Sequence, residues 1–278
     1  MTRKQQPLRI VVMGTDGRLS EVLVRNLCQW GYGAAVWGGN QQRAASQAGA
    51  ADFLIIDLDG MEQELLAVGG SLDEPESLAR PVARLTIALS SQPLRRKTLE
   101  ALEAVLFVPK PFDMGVLRGY LMTLERVLAE GVTQPQEPVA PDRQVRVLAA
   151  DDDSRMTEWA CTVLSKSGRY IARAAHDGIE VLEQCLTWEP DCLVMDMMMP
   201  KMNGYQVLRC LRARPRLTRL PVVVLSALAE VEVRAEELSQ PSLAVLKKPL
   251  RSADLLAAVE RVLGMRRAEG SRGPLEVG

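Results

Sequence analysis

Short apolar runs alternate along the chain with stretches whose apolar residues recur every three to four positions. Apolar runs without polar alternation are typical of strands buried on both faces of a parallel sheet, and the longer periodic stretches are typical of helices. In the second half we predict strands at 145–150, 169–174, 191–196, 220–226 and 243–247. The helices of this half are predicted at 154–166, 178–187, 204–213, 229–239 and 251–263.

The first half of the chain repeats this alternation. Its predicted strands lie at 8–13, 33–37, 52–57, 84–90 and 104–108, and a helix at 112–129 closes the half. Residues 131–143 contain three prolines and no helical period, which is typical of a linker. The sequence therefore predicts two tandem doubly wound (βα)5 domains of the α/β class, each with a five-stranded parallel sheet. We expect them at 7–130 and 144–264, with a flexible tail at 265–278.

The composition changes this picture little, because it is that of an ordinary globular protein. Hydrophobic residues make up 47%, charged residues 25%, and the formal net charge is −1. A charge this small favours no direct binding to nucleic acid. No apolar run reaches the roughly 18 residues that span a bilayer, and the first residues lack a signal-peptide core. We expect a cytoplasmic protein without membrane insertion.

Metal sites built from cysteine and histidine are also disfavoured. The five cysteines have no CxxC spacing and lie within apolar patterns, which is typical of buried free thiols. His176 is the single histidine of the chain. A zinc site is therefore not expected.

Polar side chains follow the predicted strands of the second half at the points where those strands end. VRVLAA is followed by Asp151 and Asp152, CLVMD ends in Asp196, PVVVLS ends in Ser226, and LAVLK is followed by Lys248. Because the carboxyl ends of parallel strands meet at one edge of a sheet, we expect these side chains to lie together. Carboxylates suit Mg²⁺, and a lysine suits phosphoryl oxygens. The sequence predicts a site for Mg²⁺ and a phosphoryl group.

Over residues 145–263, the second half resembles the receiver domain of two-component response regulators. The resemblance rests on Asp151–Asp152, on MDMMMPKMNG around Asp196, on Ser226 followed by Ala227, and on Lys248–Pro249. From Asp152 the motifs follow at intervals of 44, 30 and 22 residues, which fit the layout of the family. The resemblance implies a flavodoxin-like fold for this domain.

The resemblance also implies the chemistry. Asp196 would be the phosphoacceptor, Lys248 would contact a phosphoryl oxygen, and the hydroxyl of Ser226 would move to hydrogen-bond the phosphoryl group. The implied ligands of Mg²⁺ are Asp151, Asp152, Asp196 and the backbone carbonyl of Met198. Met198 and Leu228 would flank the path of the water that hydrolyses the acyl phosphate, and since neither orients a water, a long-lived phosphorylated state is expected.

The implied partners are proteins. A sensor histidine kinase or a histidine phosphotransfer protein would supply the phosphoryl group in trans, and the downstream protein target is unknown. Receivers often dimerise, so a homodimer is compatible with the family. We expect a signalling module without a fused output domain, which catalyses only its own phosphorylation and dephosphorylation.

The first half departs from this pattern. Its first strand ends in Met13 and Gly14, where the acid pair is expected, whereas Asp57, Ser90 and Lys110 match the acceptor, hydroxyl and lysine positions. Loss of both carboxylates should remove most of the affinity for Mg²⁺. We therefore predict a degenerate receiver, or pseudo-receiver, that contacts a partner or the second half.

A phosphate-handling enzyme is the alternative. The segment Asp57-Leu58-Asp59-Gly60 resembles the opening motif of haloacid-dehalogenase-type phosphatases, which also use an aspartate nucleophile, a hydroxyl and a lysine. The acidic pair that this family places later in the chain has no convincing counterpart after Lys110. The second half could likewise be a Mg²⁺-dependent phosphatase with an aspartyl nucleophile.

Overall fold

Two five-stranded parallel sheets organise the chain, one in each half. The computed structural model describes residues 7–37, 51–61, 83–93, 98–99, 102–129, 143–214, 216–226 and 243–270. The chain divides into two units, Met1–Gly119 and Tyr120–Gly278.

The first sheet has the strand order β2-β1-β3-β4-β5. Its strands are β1 (Arg9–Met13), β2 (Gly33–Val36), β3 (Ala51–Asp57), β4 (Ala83–Ser90) and β5 (Ala104–Pro109). Helix α1 (Gly17–Gln29) follows β1, and helix α2 (Met114–Leu128) follows β5. Leu54, Ile56 and Ala88 belong to the buried core of this sheet.

The second sheet has the order β10-β9-β8-β6-β7. Its strands are β6 (Val145–Ala150), β7 (Tyr170–Ala175), β8 (Cys192–Asp196), β9 (Val222–Ser226) and β10 (Leu243–Lys247). The helices are α3 (Ser154–Lys166), α4 (Gly178–Thr187), α5 (Gly204–Arg212) and α6 (Ser252–Gly270). All residues of β8 and β9 are buried, as expected for central strands of a covered parallel sheet.

Numbered within each half, both sheets have the order 2-1-3-4-5, the flavodoxin-like arrangement. In this order the first and third strands are neighbours, and ligands bind beyond their carboxyl ends. The register pairs Ala150 with Met195 in the second sheet and Met13 with Ile56 in the first. The residues that follow these pairs therefore lie side by side at the edge of each sheet.

The strands that the sequence predicts are confirmed to within two residues at either end. The helix predicted at 229–239 and most of the linker predicted at 131–143 lie outside the described residues. Cys185, Cys192 and Cys210 are buried free thiols as predicted, whereas Cys28 is exposed. Among the helices that the structure describes, none is long and apolar enough to cross a membrane.

The predicted domain bounds stay predictions, and two features of the structure lie close to them. The division after Gly119 falls within α2, before the boundary expected at residue 130. Within the second unit so defined, the Thr123 hydroxyl donates to Glu183 Oε1 at 3.0 Å, which groups the end of α2 with this unit. The last helix continues to Gly270, into the segment predicted as a tail from residue 265. Arg, Ala and Glu in this segment favour helix whatever their polarity.

Candidate functional site

Three carboxylates of the second unit converge where β6 and β8 end. Asp151 and Asp196 are buried, with 3% and 6% of their surface exposed, and Asp152 is exposed. Each of the three offers an oxygen, and these oxygens all lie within 4.8 Å of one another. The convergence follows from the pairing of Ala150 with Met195, since Asp151 and Asp196 are the next residues on adjacent strands.

Lys248 joins two of these carboxylates. Its Nζ lies 2.8 Å from Oδ2 of Asp151 and 3.1 Å from Oδ1 of Asp196. Its backbone N–H donates to the Ser226 carbonyl at 2.8 Å, which fixes the residue after β10 to the end of β9. Burial alone would lower the pKa of Lys248, but hydrogen bonds and the charges of Asp151 and Asp196 outweigh it and raise this pKa. Lys248 is therefore an ammonium ion that contacts both buried acids.

The carboxylate of Asp196 is buried and is oriented by two contacts. Burial raises its pKa, and the charge of Lys248 opposes this rise. One carboxylate oxygen contacts Lys248, and the other accepts the Met198 N–H at 3.2 Å. These contacts orient the carboxylate at the end of β8.

The loop after β8 is fixed by contacts that the sequence analysis did not single out. Asn203 and Gln206 form a reciprocal capping box at the start of α5, and the Gly204 N–H donates to the Met197 carbonyl at 2.9 Å. A Cβ at Gly204 would lie 2.7 Å from the Met197 sulfur, so this position favours glycine. The sequence signal was Asn-x-x-Gln before an apolar stretch, a capping-box pattern.

Ser226 lies at the end of β9 and is 8% exposed, on the same edge of the sheet as Asp196 and Lys248.

The Met198 side chain is 59% exposed. Whether the Met198 carbonyl binds a metal stays a prediction. Leu228 lies outside the described residues. Asp153, next to the acid pair, caps α3 by accepting the Arg155 N–H at 3.0 Å.

The carboxylate cluster fits Mg²⁺ in donor type, spacing and charge. Mg²⁺ prefers oxygen ligands at 2.0–2.1 Å, so two ligands of one ion lie at most about 4.2 Å apart, close to the observed spread. Three carboxylates and one ammonium sum to two negative charges, which a divalent cation would balance. Asp151, Asp152 and Asp196 are the residues that would hold the ion.

Residues 147–260 match the response regulator receiver domain family. This part of the chain is a receiver domain. The response regulator MprA of Mycobacterium ulcerans is 39% identical over 119 residues, which are 43% of this chain and 50% of that protein. MprA of Mycobacterium tuberculosis strain H37Rv is 38% identical over the same length. The chain thus spans about half the length of the curated relatives it matches.

Solved structures of receiver domains also match part of the chain. The receiver domain of the Francisella response regulator 1452 is 32% identical, with a TM-score of 0.40, and the match covers 44% of this chain and 99% of that one. The receiver domain of the sensor histidine kinase PA1611 from Pseudomonas aeruginosa, solved with a magnesium ion in its active site cleft, is 25% identical with a TM-score of 0.40 over 44% and 99% of the two chains.

The first unit brings together a second set of polar groups, which differ from those of the receiver domain. Lys110 Nζ lies 2.5 Å from Oδ1 of Asp57 and 2.9 Å from Oδ2 of Asp59. The Ser90 hydroxyl donates to Oδ1 of Asp59 at 3.0 Å. The predicted convergence of Asp57, Ser90 and Lys110 is therefore observed, and Asp59 is an additional member.

Three backbone hydrogen bonds recur at matching positions in the two units. The Asp59 N–H donates to the Asp57 carboxylate, and the Met198 N–H donates to the Asp196 carboxylate, each at 3.2 Å. The Leu58 N–H donates to the backbone carbonyl of the residue before Ser90, and the Met197 N–H donates to that of the residue before Ser226. The Lys110 N–H donates to the Ser90 carbonyl, and the Lys248 N–H donates to the Ser226 carbonyl. Asp59 therefore stands where the receiver domain has Met198.

The helix caps correct the predicted position of the missing acids. Asp16 caps α1 by accepting the N–H of the residue two further on, as Asp153 does for α3. Counting back from these caps, Gly14 and Thr15 match Asp151 and Asp152, so the assignment of Met13 and Gly14 was wrong by one residue. A Cβ at Gly14 would lie 2.8 Å from the Asp57 Cβ, so the first of these positions lies against Asp57.

Asp152→Asn in the full chain is expected to weaken Mg²⁺ binding about tenfold or more, because one of three negative charges around the ion is lost. Isothermal titration with MgCl₂ measures this directly. Asp153→Asn is the matched control, since that carboxylate is adjacent but caps α3. An equal loss in both variants would contradict the ligand assignment.

Proposed function

We propose that the chain is a response regulator of a two-component or phosphorelay system, which accepts a phosphoryl group on Asp196. The observation that carries the proposal is the contact of Lys248 with both Asp151 and Asp196 beside a third carboxylate. It supports the proposal because Asp196 would be the nucleophile, Lys248 would supply a positive charge beside it, and the three carboxylates would bind the metal ion.

In the proposed reaction, an oxygen of Asp196 forms a bond to phosphorus. The bond from phosphorus to the donor breaks, and the donor leaves with the electron pair. Bound Mg²⁺ would offset negative charge on the phosphoryl oxygens. Lys248 holds positive charge beside the same carboxylate, and Ser226 offers a hydroxyl to a phosphoryl oxygen. The Met198 N–H keeps the carboxylate oriented during the transfer.

The proposed donor is a sensor histidine kinase or a histidine phosphotransfer protein, and the proposed output is contact with a downstream protein. The chain would act as a signalling module whose only catalysis is its own phosphorylation and dephosphorylation. It would be cytoplasmic and would not bind nucleic acid directly. Formation of a homodimer belongs to the same proposal.

The first unit is proposed to be a pseudo-receiver. The matching strand order and the recurring backbone hydrogen bonds at Asp57, Ser90 and Lys110 support this. Gly14 and Thr15 offer no carboxylate where the receiver domain has Asp151 and Asp152. Among the residues that the structure describes, a cluster of three potential metal ligands occurs at Asp151, Asp152 and Asp196 and nowhere in the first unit.

The alternative, a phosphatase, predicts turnover. With radiolabelled acetyl phosphate and Mg²⁺, a response regulator should gain at most one aspartyl phosphate per chain, and release of inorganic phosphate should be limited by loss of that group. A phosphatase should release phosphate over many cycles while it hydrolyses substrates of several kinds. Rapid release of phosphate from aryl or alkyl phosphates by the full chain would overturn the proposed function.

A further inference from the structure

The first unit contains a group of hydrogen-bond donors that could bind an anion, and the carboxylate of Asp59 from the same chain already occupies them. Lys110 Nζ lies 2.9 Å from Oδ2 of Asp59, and the Ser90 hydroxyl donates to Oδ1 at 3.0 Å. The Ser91 N–H donates to both oxygens, at 2.9 and 3.1 Å. An ammonium, a hydroxyl and a backbone amide can each donate a charge-assisted hydrogen bond to a carboxylate or phosphoryl oxygen.

Two loops fix Asp59 in this position. The Thr15 hydroxyl donates to the Asp59 carbonyl at 2.9 Å, and the Asp59 N–H donates to Asp57 Oδ1 at 3.2 Å. Gly60 has φ +80°, and a Cβ there would lie 2.6 Å from the Thr15 hydroxyl oxygen, so the turn favours glycine. Because Asp59 is tethered on both sides, its carboxylate meets the donors at a high effective concentration.

The charge of Asp59 suits this position. Burial opposes its ionisation, but hydrogen bonds from Ser91, Lys110 and Ser90 outweigh burial and lower the pKa of Asp59 to about 2. Asp59 is therefore an anion at neutral pH. The receiver domain has the neutral Met198 at the matching position, where a phosphoryl group on Asp196 would need room.

Access to Asp57 is closed at the same time. Its side chain is 1% exposed, Oδ1 contacts Lys110, and Oδ2 is buried without a hydrogen-bond partner among the described residues. Oδ1 is thus occupied by Lys110 and the Asp59 N–H, and Oδ2 is closed to solvent, so a phosphodonor reaches neither oxygen unless neighbouring groups move.

We propose that Asp59 is a built-in anion of the first unit, which holds Ser90 and Lys110 in an anion-bound arrangement without phosphorylation. The first unit then presents one fixed state to its partner, and the second unit alone responds to a phosphodonor. The comparison with a phosphorylated receiver rests on the proposed function, whereas the occupancy of the donors by Asp59 rests on the contacts alone.

Hydrogen exchange of the full chain tests this, with mass spectrometry on overlapping peptides that cover 88–93. Asp59→Ala removes the acceptor of the Ser91 N–H, so exchange at Ser91 should become about tenfold faster or more. Sodium acetate supplies an untethered carboxylate and should restore part of the protection, whereas sodium chloride at equal ionic strength should not. Asp59→Asn keeps one acceptor oxygen and should give an intermediate rate.

Asp52→Ala is the matched control. This partly buried carboxylate of the same unit accepts the Arg9 N–H at 2.9 Å and lies at the opposite end of β3. It should leave exchange at Ser91 unchanged. Unchanged exchange in Asp59→Ala, a loss of protection that acetate does not reverse, or an equal loss in Asp52→Ala would overturn the proposal. None of these outcomes depends on labelling of Asp196, so the failure of the proposed function would be seen separately.

Discussion

Asp196→Asn is expected to abolish phosphoryl labelling of the full chain by acetyl phosphate and Mg²⁺, whereas Asp57→Asn is expected to leave the label intact. Asparagine has nearly the shape of aspartate but lacks the anionic oxygen that forms the bond to phosphorus. At Asp196 this removes the proposed nucleophile, which lies beside Lys248 and the two other carboxylates.

The substitution at Asp57 should have no such effect, because this carboxylate is already excluded from the reaction. It is 1% exposed, it contacts Lys110, and the carboxylate of Asp59 fills the adjacent donors. The first unit also lacks the two acids that would bind the divalent ion, since Gly14 and Thr15 take their places.

Labelling is measured per chain on the purified full-length variants, with mass spectrometry to locate the acyl phosphate. Thermal unfolding of each variant controls for folding. Label retained in Asp196→Asn, or halved in Asp57→Asn, would show that the first unit accepts phosphoryl groups and would contradict the assignment.

The receiver site could be predicted from the sequence because its residues are defined by local signals. Asp196 and Ser226 are the last residues of largely apolar strands, and Asp151 and Lys248 are the first residues after such strands. A parallel sheet brings the carboxyl ends of these strands to one edge, independently of the conformation of the connecting loops. The strand pattern therefore sufficed to predict which side chains meet.

The state of the first unit could not be predicted in the same way. Asp59 lies in a turn, and its carboxylate meets Ser90 and Lys110 only because Thr15 and Gly60 fix that turn from two separate segments. Such contacts depend on side-chain geometry between loops, which hydrophobic periodicity does not encode. At the level of sequence the same segment, Asp-Leu-Asp-Gly, only raised the alternative of a phosphatase motif.

The error of one residue at Met13 has a related cause. The apolar run RIVVMG does not mark where the strand ends, since methionine and glycine fit a strand end or a loop equally well. The N-cap Asp16 was the more reliable reference, because a helix cap is fixed to the backbone by a hydrogen bond. Counting back from caps, rather than forward from apolar runs, would have matched Gly14 with Asp151.

The phosphorylated state of Asp196 is expected to be long-lived, and Met198→Asn is expected to shorten its lifetime by about one to two orders of magnitude. Met198 is two residues after the acceptor, and its backbone N–H already binds the Asp196 carboxylate. Its thioether is a weak acceptor and no donor, so it cannot orient a water for attack on phosphorus. An asparagine amide at this position can both donate to and accept from such a water.

Loss of label from the purified full chain, after removal of the phosphodonor, measures the lifetime. Met122→Asn is the matched control, because Met122 is also an exposed methionine, with 52% of its surface accessible against 59% for Met198, but lies on α2. The control should decay at the rate of the unaltered protein. Rapid decay in the unaltered protein, or the same rate in Met198→Asn, would show that the side chain of Met198 does not limit attack by the hydrolytic water.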